Sequence, residues 1–545
     1  MMHDVMFADD VGRFANRPYG GSPTRRCADA AGHGAPCPYG GSPTRRYADA
    51  PGRFTNRPYG DTVPGSPVPR LSGSPFPTLS PSHPLTLLFF IAIAWIAPAI
   101  AQIPGTDLRT ERALIEYGQR PAVSHNHTTA DSLFFAGRDT SRHIGLDVVG
   151  AWRSGLVDYH DIWRDESHFL IAPYGFGRFH EDVTFKVRLH MENNKEELAD
   201  PNRRYWGDEF SGMRGGVEIA SMTLRKGPFE IRAGRDYHLP AVPEYEGLLF
   251  SNHQYAYDQL HWRYANEWVS FGAYYLDLND YRAGDELTMR HLNGHYVRVN
   301  LPGNGWASMN EVVIYGGLNR QPNWFLLNPF VPYYIYSQNQ RTFESNSILS
   351  WEVYYDWSRF YGHLELVLDD FQIDEEDPAD LEPTEWGMNL TLGVRDVVVS
   401  GLNASINHTL VSNRTFNAPI KDYEKYLYRN LPIGHVAGNN FWELKSALTY
   451  VDPERATVRV MAIYREFGDE ALYGPFNTDF LNFTVEEGYS EPFPFGRVRS
   501  QFGVTANAFV TLVRGLSLNG KLGWWGKQGG LPESTAFRLG AIWSW

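Results

Sequence analysis

Gln501-Phe502-Gly503-Val504-Thr505-Ala506-Asn507-Ala508-Phe509-Val510-Thr511-Leu512 reads as one long β-strand. Phe502, Val504, Ala506, Ala508, Val510 and Leu512 fall on one side. Gln501, Gly503, Thr505, Asn507 and Thr511 fall on the other, with Phe509 the single exception. Period-two alternation means one apolar and one polar face. Arg514-Gly515 makes a tight turn, and the pattern resumes. Leu516, Leu518, Gly520, Leu522 and Trp524 oppose Ser517, Asn519, Lys521 and Gly523. After a polar loop come Phe537, Leu539, Ala541, Trp543 and Trp545, spaced by Arg538, Gly540 and Ser544. Three consecutive strands of about ten residues, ending on aromatics, are what the closing strands of a transmembrane β-barrel look like. A soluble β-sandwich is the alternative, with the apolar face turned to a core.

Composition agrees with the barrel. Aromatic residues make up 14% of the 545, yet mean hydropathy is on the polar side. An α-helical membrane protein needs several apolar runs of about 20 residues. Only Leu85 to Ala101 comes near that length. A barrel hides its apolar residues at alternate positions, so its average stays polar. The two cysteines, Cys27 and Cys37, precede that run. The rest of the chain therefore has no disulfide framework and no thiolate metal site. The net charge of -14 is uneven. Residues 1–101 hold 9 basic and 6 acidic side chains, leaving 40 and 57 downstream. Such an acidic chain is not expected to bind nucleic acid.

Residues 1–80 form a low-complexity leader. Pro18-Tyr19-Gly20-Gly21-Ser22-Pro23-Thr24-Arg25-Arg26 recurs at Pro38 to Arg46. With much Pro, Gly, Ser and Arg there is little to bury, and the stretch is not expected in the mature protein. Residues 81–101 read as a signal peptide. Its apolar core, Leu85 to Ala97, leads into Ala99-Ile100-Ala101, so cleavage is expected after Ala101. Residues 102–141 would be a short periplasmic segment, with a helix over Leu108 to Tyr117.

Residues 142–545 hold eighteen candidate strands. They fall near 144–152, 166–179, 182–192, 215–224, 228–236, 257–264, 267–277, 292–301, 306–318, 346–356, 359–369, 384–394, 402–412, 439–450, 456–467, 498–513, 515–526 and 536–545. The second contains Pro173, which cannot donate to a ladder. Short turns such as Pro302-Gly303-Asn304-Gly305 alternate with long connections such as 193–214, 237–256, 319–345, 413–438 and 468–497. That alternation marks a barrel with periplasmic turns and extracellular loops. An all-β, antiparallel, outer-membrane barrel of about 18 strands is the expected fold. Outer-membrane lipid and the outer-membrane assembly machinery are then its expected partners.

The polar faces carry Lys186, Arg188, Arg232, Arg263, Arg298 and Arg459 beside Glu218, Glu230, Glu352, Glu365, Asp369 and Glu443. Such residues either cross-brace a wide barrel or steer a polar chain through it. In loop 319–345, Trp324-Phe325-Leu326-Leu327-Asn328-Pro329-Phe330-Val331-Pro332-Tyr333-Tyr334 is too aromatic for a solvated loop. Its rings either stack on sugars or pack as an interfacial girdle. Trp324, Phe330, Tyr333, Tyr334, Arg188, Arg232, Arg263 and Arg298 are the candidate ligand contacts. Asp369 to Asp380 is acidic enough for a cation but lacks EF-hand spacing, and His125-Asn126-His127 is a weaker candidate still. No P-loop, G-x-S-x-G or H-E-x-x-H occurs. A non-catalytic protein with no cofactor and no metal is expected.

Several stretches in order resemble the Wzi family of outer-membrane capsule-assembly proteins. They are Ala233-Gly234-Arg235, Leu248-Leu249-Phe250-Ser251-Asn252 with Tyr257-Asp258-Gln259-Leu260, Asn328-Pro329-Phe330, Leu366-Val367-Leu368-Asp369-Asp370-Phe371 and Leu431-Pro432-Ile433-Gly434-His435-Val436-Ala437-Gly438. The match spans most of residues 105–545. After Gly234-Arg235 the chain departs from the family, with Asp236-Tyr237-His238-Leu239-Pro240 where a glycine-rich turn with tryptophan is usual. The resemblance implies an eighteen-stranded barrel that binds and organises capsular or other surface polysaccharide. The other function to be weighed is an outer-membrane channel or porin, for polysaccharide export or polar solutes.

Overall fold

The computed structural model describes residues 142–155, 166–192 and 214–544, apart from 243, 253–254, 284–285, 341–342, 371–380, 420, 430, 453–454, 470–471 and 527–532. The expected leader, signal peptide and helix over 108–117, with His125, His127 and most of the acidic loop, lie outside these residues.

Eighteen strands close into one antiparallel barrel. They are β1 (Arg142–Gly155), β2 (Glu166–His180), β3 (Val183–Glu192), β4 (Arg214–Lys226), β5 (Phe229–Asp236), β6 (Tyr257–Ala265), β7 (Val269–Asp277), β8 (Glu286–Leu301) and β9 (Asn304–Leu318). There follow β10 (Ser345–Trp357), β11 (Phe360–Asp370), β12 (Glu385–Val394), β13 (Leu402–Val411), β14 (Phe441–Asp452), β15 (Ala456–Phe467), β16 (Arg499–Val513), β17 (Leu516–Trp525) and β18 (Ser534–Ser544). Each pairs with its sequence neighbours, and β18 closes on β1 from Gly145↔Ser544 to Gly155↔Ser534. Closure leaves no free sheet edge. Tyr281–Ala283 only extends the sheet beside the start of β8.

The strand pattern is the one expected, and three places in it are informative. β8 begins at Glu286 rather than 292, because its first residues pair with Tyr281–Ala283 on one side and, from Thr288↔Leu318 onward, with the end of β9 on the other. Pro173 lies inside β2 and faces Leu146 of β1. On the other side the ladder to β3 breaks between Ile171↔Met191 and Tyr174↔Arg188, where the missing N–H is not needed. Phe509 points inward, where Val149, Leu170, Ala172 and Ile542 form a small apolar cluster around it.

Alternation along each strand sorts two surfaces. Outside, Val187, Leu224, Ile231, Val299, Met309, Val353, Leu448, Leu512 and Leu539 are exposed, an apolar belt suited to lipid. Phe179, Phe229, Trp268, Trp357, Phe360 and Trp543 ring the end that carries the short turns, as an aromatic girdle does. Inside, the buried residues are largely charged or amide-bearing: Asp147, Lys186, Arg188, Glu230, Arg232, Glu365, Asn389, Asn407 and Lys445 among them.

Candidate functional site

Two long loops fold into the lumen and cross it. Loop 237–256 leaves β5, crosses the barrel and meets the far wall. There the Tyr361 and Ser405 hydroxyls each donate to Glu244 at 2.6 Å, and Arg459 donates to the Glu244 carbonyl at 2.7 Å. Asn389 donates to the Glu246 carbonyl at 2.7 Å. Further along, the N–H groups of Leu248 and Leu249 both donate to the Glu365 carboxylate at 2.8 Å. One buried carboxylate thus satisfies two buried donors of an irregular segment.

Loop 412–440 locks the first loop in place. Ser251 N–H donates to the Ile433 carbonyl at 3.1 Å, and the Tyr426 hydroxyl to the Leu249 carbonyl at 2.7 Å. The Tyr428 hydroxyl reaches the Ala256 carbonyl at 3.2 Å. Gly434 lies so near that a Cβ there would stand 1.9 Å from the Leu248 carbonyl oxygen. Leu248, Leu249, Phe250, Tyr426, Tyr428 and Ile433 join one buried apolar cluster with wall residues Tyr274, Val312 and Val367.

A charged knot fastens both loops to β14. Lys445 Nζ stands 2.6 Å from Glu246 and 2.5 Å from Glu443, and His435 Nε2 stands 3.1 Å and 3.2 Å from the same two carboxylates. Burial opposes the charged form of His435, but Glu246 and Glu443 raise its pKa above the ordinary value. Glu246, His435 and Glu443 have the spacing of metal ligands. Lys445 already supplies the cation there.

The predicted lumenal arginines are all inside, and most are in ion pairs. Arg188 lies 3.2 Å from Asp147 and also holds Glu218. Arg263 lies 2.9 Å from Glu230, and Arg232 lies 3.8 Å from both Glu230 and Asp236. Arg298 stacks on Trp306, 3.6 Å from the ring centre. Arg232 and Arg298 also line a cavity of about 80 Å³ beneath the plug, with His238, His261 and Tyr296. Burial and Arg232 lower the His238 pKa to about 3, so the ring is neutral.

Of the predicted aromatic residues, Trp324, Phe330 and Tyr333 belong to a flap on the outer wall, and Tyr334 reaches the rim. Loop 319–344 folds over the outer wall as a flap. Trp262 Nε1 on β6 donates to the Leu327 carbonyl at 3.0 Å, Trp324 packs on Tyr275 at 5.2 Å, and Phe330 reaches Phe271 at 5.8 Å. Glu311 accepts the N–H groups of Tyr333 and Tyr334 at 2.8 Å, at the start of helix α1 (Tyr333–Asn339). Glu311, His291, Asn293 and His295 share the outward face of β8 and β9 with exposed Val297, Val299 and Met309, yet under the flap the first three are buried and His295 is half-buried. Tyr333 is fully buried, while Trp324, Phe330 and Tyr334 are exposed on its outer side. Sequence alternation would have placed those four polar residues in the lumen or in lipid.

At the rim on the long-loop side lies a groove of about 390 Å³. Tyr334, Phe343 and Phe476 supply ring faces, and Asn346, Asn417 and Ser337 supply polar groups. Of the predicted contacts, Tyr334 alone lines it. No single stretch announced this groove, because its walls come from α1, the ends of β10 to β12 and loop 412–440.

No family model matches the chain, and no curated protein matches it. Solved structures do. In fold the chain resembles Wzi. That structure is titled an outer-membrane protein involved in group 1 capsule assembly in Escherichia coli and a carbohydrate-binding β-barrel. The TM-score is 0.51 at 11% identity, over 82% of this chain and 99% of that one. The outer-membrane proteins OpdK and OprD of Pseudomonas aeruginosa align with TM-scores of 0.42 and 0.39, at 10% and 12% identity. They cover 74% of this chain, and 99% and 94% of their own. The barrel expected from the likeness to the Wzi family is the barrel found. Of the stretches that carried that likeness, Leu248–Asn252 and Leu431–Gly438 are plug, and Leu366–Asp370 ends the strand whose Glu365 holds it.

Proposed function

We propose that this protein is an outer-membrane barrel that binds surface or capsular polysaccharide and organises it on the cell, without catalysis. The observation that carries the reading is the pairing of a lumen crossed by two latched loops with a groove at its rim. Aromatic faces beside polar acceptors are what sugar rings bind. A lumen crossed by two loops, and latched to the far wall by buried hydrogen bonds and ion pairs, is poorly suited to steady conduction. Wzi, the barrel it resembles, is described as carbohydrate-binding, in keeping with this reading.

Deleting the gene and fractionating polysaccharide tests it. Polymer shed from the surface into the medium is the expected outcome. Unchanged pools, together with purified protein that binds no polysaccharide of its own organism, would remove the proposal.

The charged cavity beneath the plug favours a second reading, a gated channel. Planar-bilayer recording separates the two, since a binder is nearly silent and a channel conducts when its plug moves.

A further inference from the structure

The rim groove has a charge that polysaccharide binding alone does not require. Glu344, Asp369, Asp370, Glu382, Glu385 and Glu424 line it, against Lys421 as the one described cation. These carboxylates come from four separate parts of the chain, so the cluster is made by the fold. Two are deeply buried, Glu385 at 4% exposure and Glu424 at 6%. Glu424 Oε1 is buried with no hydrogen-bond partner among the described residues, and its side chain lines the groove. An ionised carboxylate only accepts hydrogen bonds, and a buried acceptor without a donor is costly. The Glu424 carboxyl must therefore either keep a proton or meet a donor that carries positive charge, and a cationic ligand in the groove would let it ionise.

The shape says which kind. Calcium needs six to eight oxygens converging at about 2.3–2.6 Å. Among the described residues, no three metal-binding side chains come together here. A bare ion would leave most of the 390 Å³ unfilled. An ammonium group has three donors and needs only one or two carboxylates. Carried on a pyranose ring, it would leave the sugar face to Tyr334, Phe343 or Phe476 and the hydroxyls to the asparagines.

We infer that the rim groove binds sugar residues bearing free amino groups, so that the glycan handled is at least partly an unacetylated amino-sugar polymer. The inference rests on the proposed polysaccharide-binding role and narrows it. An acidic polymer would instead meet like charge at this rim.

Binding to the purified, detergent-folded protein is the test, read by calorimetry. The probes are a glucosamine tetramer with free amines, its fully N-acetylated counterpart, and an oligouronate with and without calcium. Binding of the amine tetramer is expected, at least tenfold tighter than the acetylated one and weakening as salt rises. Glu424→Gln should reduce it about tenfold, and Glu382→Gln, at a less buried position, provides a second variant should the first misfold. Equal binding of both tetramers, no binding of the amine tetramer, or a preference for the oligouronate in either buffer would overturn the inference. In those cases, binding of the organism's own polysaccharide would still leave the proposed function standing.

Discussion

Lys445 Nζ on β14 lies 2.6 Å from Glu246 Oε2 in the plug, although 199 residues separate them. The same ammonium lies 2.5 Å from Glu443. Removing it by Lys445→Met would leave buried Glu443 and half-buried Glu246 to His435, with Arg465 3.9 Å from Glu443. Breaking a buried pair from one side costs about 3–5 kcal/mol. The expected result is a plug that unseats while the barrel still folds. Planar bilayers should show frequent openings for the variant against near silence for the parent, with unchanged heat-modifiable gel mobility. A silent variant would mean that the knot does not hold the plug.

The same knot predicts a pH dependence. His435 faces Glu246, Glu443 and Lys445, and its folded pKa is raised. A histidine raised in the folded state contributes stability that is full below its unfolded pKa, near 6.5. That stability is lost as pH rises through the higher folded value. Openings should therefore be rarer at pH 6 than at pH 9. In His435→Gln the two conditions should give the same opening frequency.

Gly434→Ala tests the contact between the two loops. The added Cβ would meet the Leu248 carbonyl oxygen at 1.9 Å, and neither a Cβ nor a backbone oxygen can rotate away. Overpacking of this kind costs about 1–3 kcal/mol. Faster hydrogen exchange across 246–252 and 430–438 is expected, with β14 to β18 unaffected. Exchange identical to the parent's would show that the loops part without cost.

The barrel was legible because each strand announces its own period and each short turn its own break. Val183 to Glu192 and Gln501 to Leu512 need no distant partner to be read. The plug needs several: Glu365 was assigned to the lumen, but nothing in its neighbours says that it waits for Leu248 and Leu249, more than a hundred residues earlier. The flap defeats alternation for a physical reason. His295 and Glu311 lie on the lipid-facing side of their strands and survive there because Tyr333 and its neighbours cover them. Period two reports which residues share a face. It does not report what lies on that face.

The flap yields a prediction of its own. Phe271 aligns with Val297, and Val297 with Met309 in the middle of β9, so the tip of the flap at Phe330 reaches mid-wall. A chain cleaved after Ala101 has no cysteine, so Phe330→Cys introduces a unique site for a spin label. That label should be relaxed far more by oxygen than by a water-soluble nickel chelate. A label at Leu481, exposed on a long loop, should show the reverse. Equal chelate access at both sites would place the tip of the flap in water.

Glu424 supplies the last prediction. Burial first, and Glu344 second, raise its pKa to about 7, with Lys421 pulling the other way. An unfolded glutamate titrates near 4.5, so between those values the folded rim holds a proton that the unfolded chain has lost. Stability then falls as pH rises from 4.5 to 7 and levels off above. Glu424→Gln removes that slope, and thermal unfolding followed across this range should be flatter for the variant. An amine ligand reverses the preference, because it needs the ionised carboxylate. Its affinity should fall as pH drops below 7, and the fall should be smaller in Glu424→Gln. If affinity and stability shared the same pH trend, the carboxylate that receives the ligand would have to be a different one.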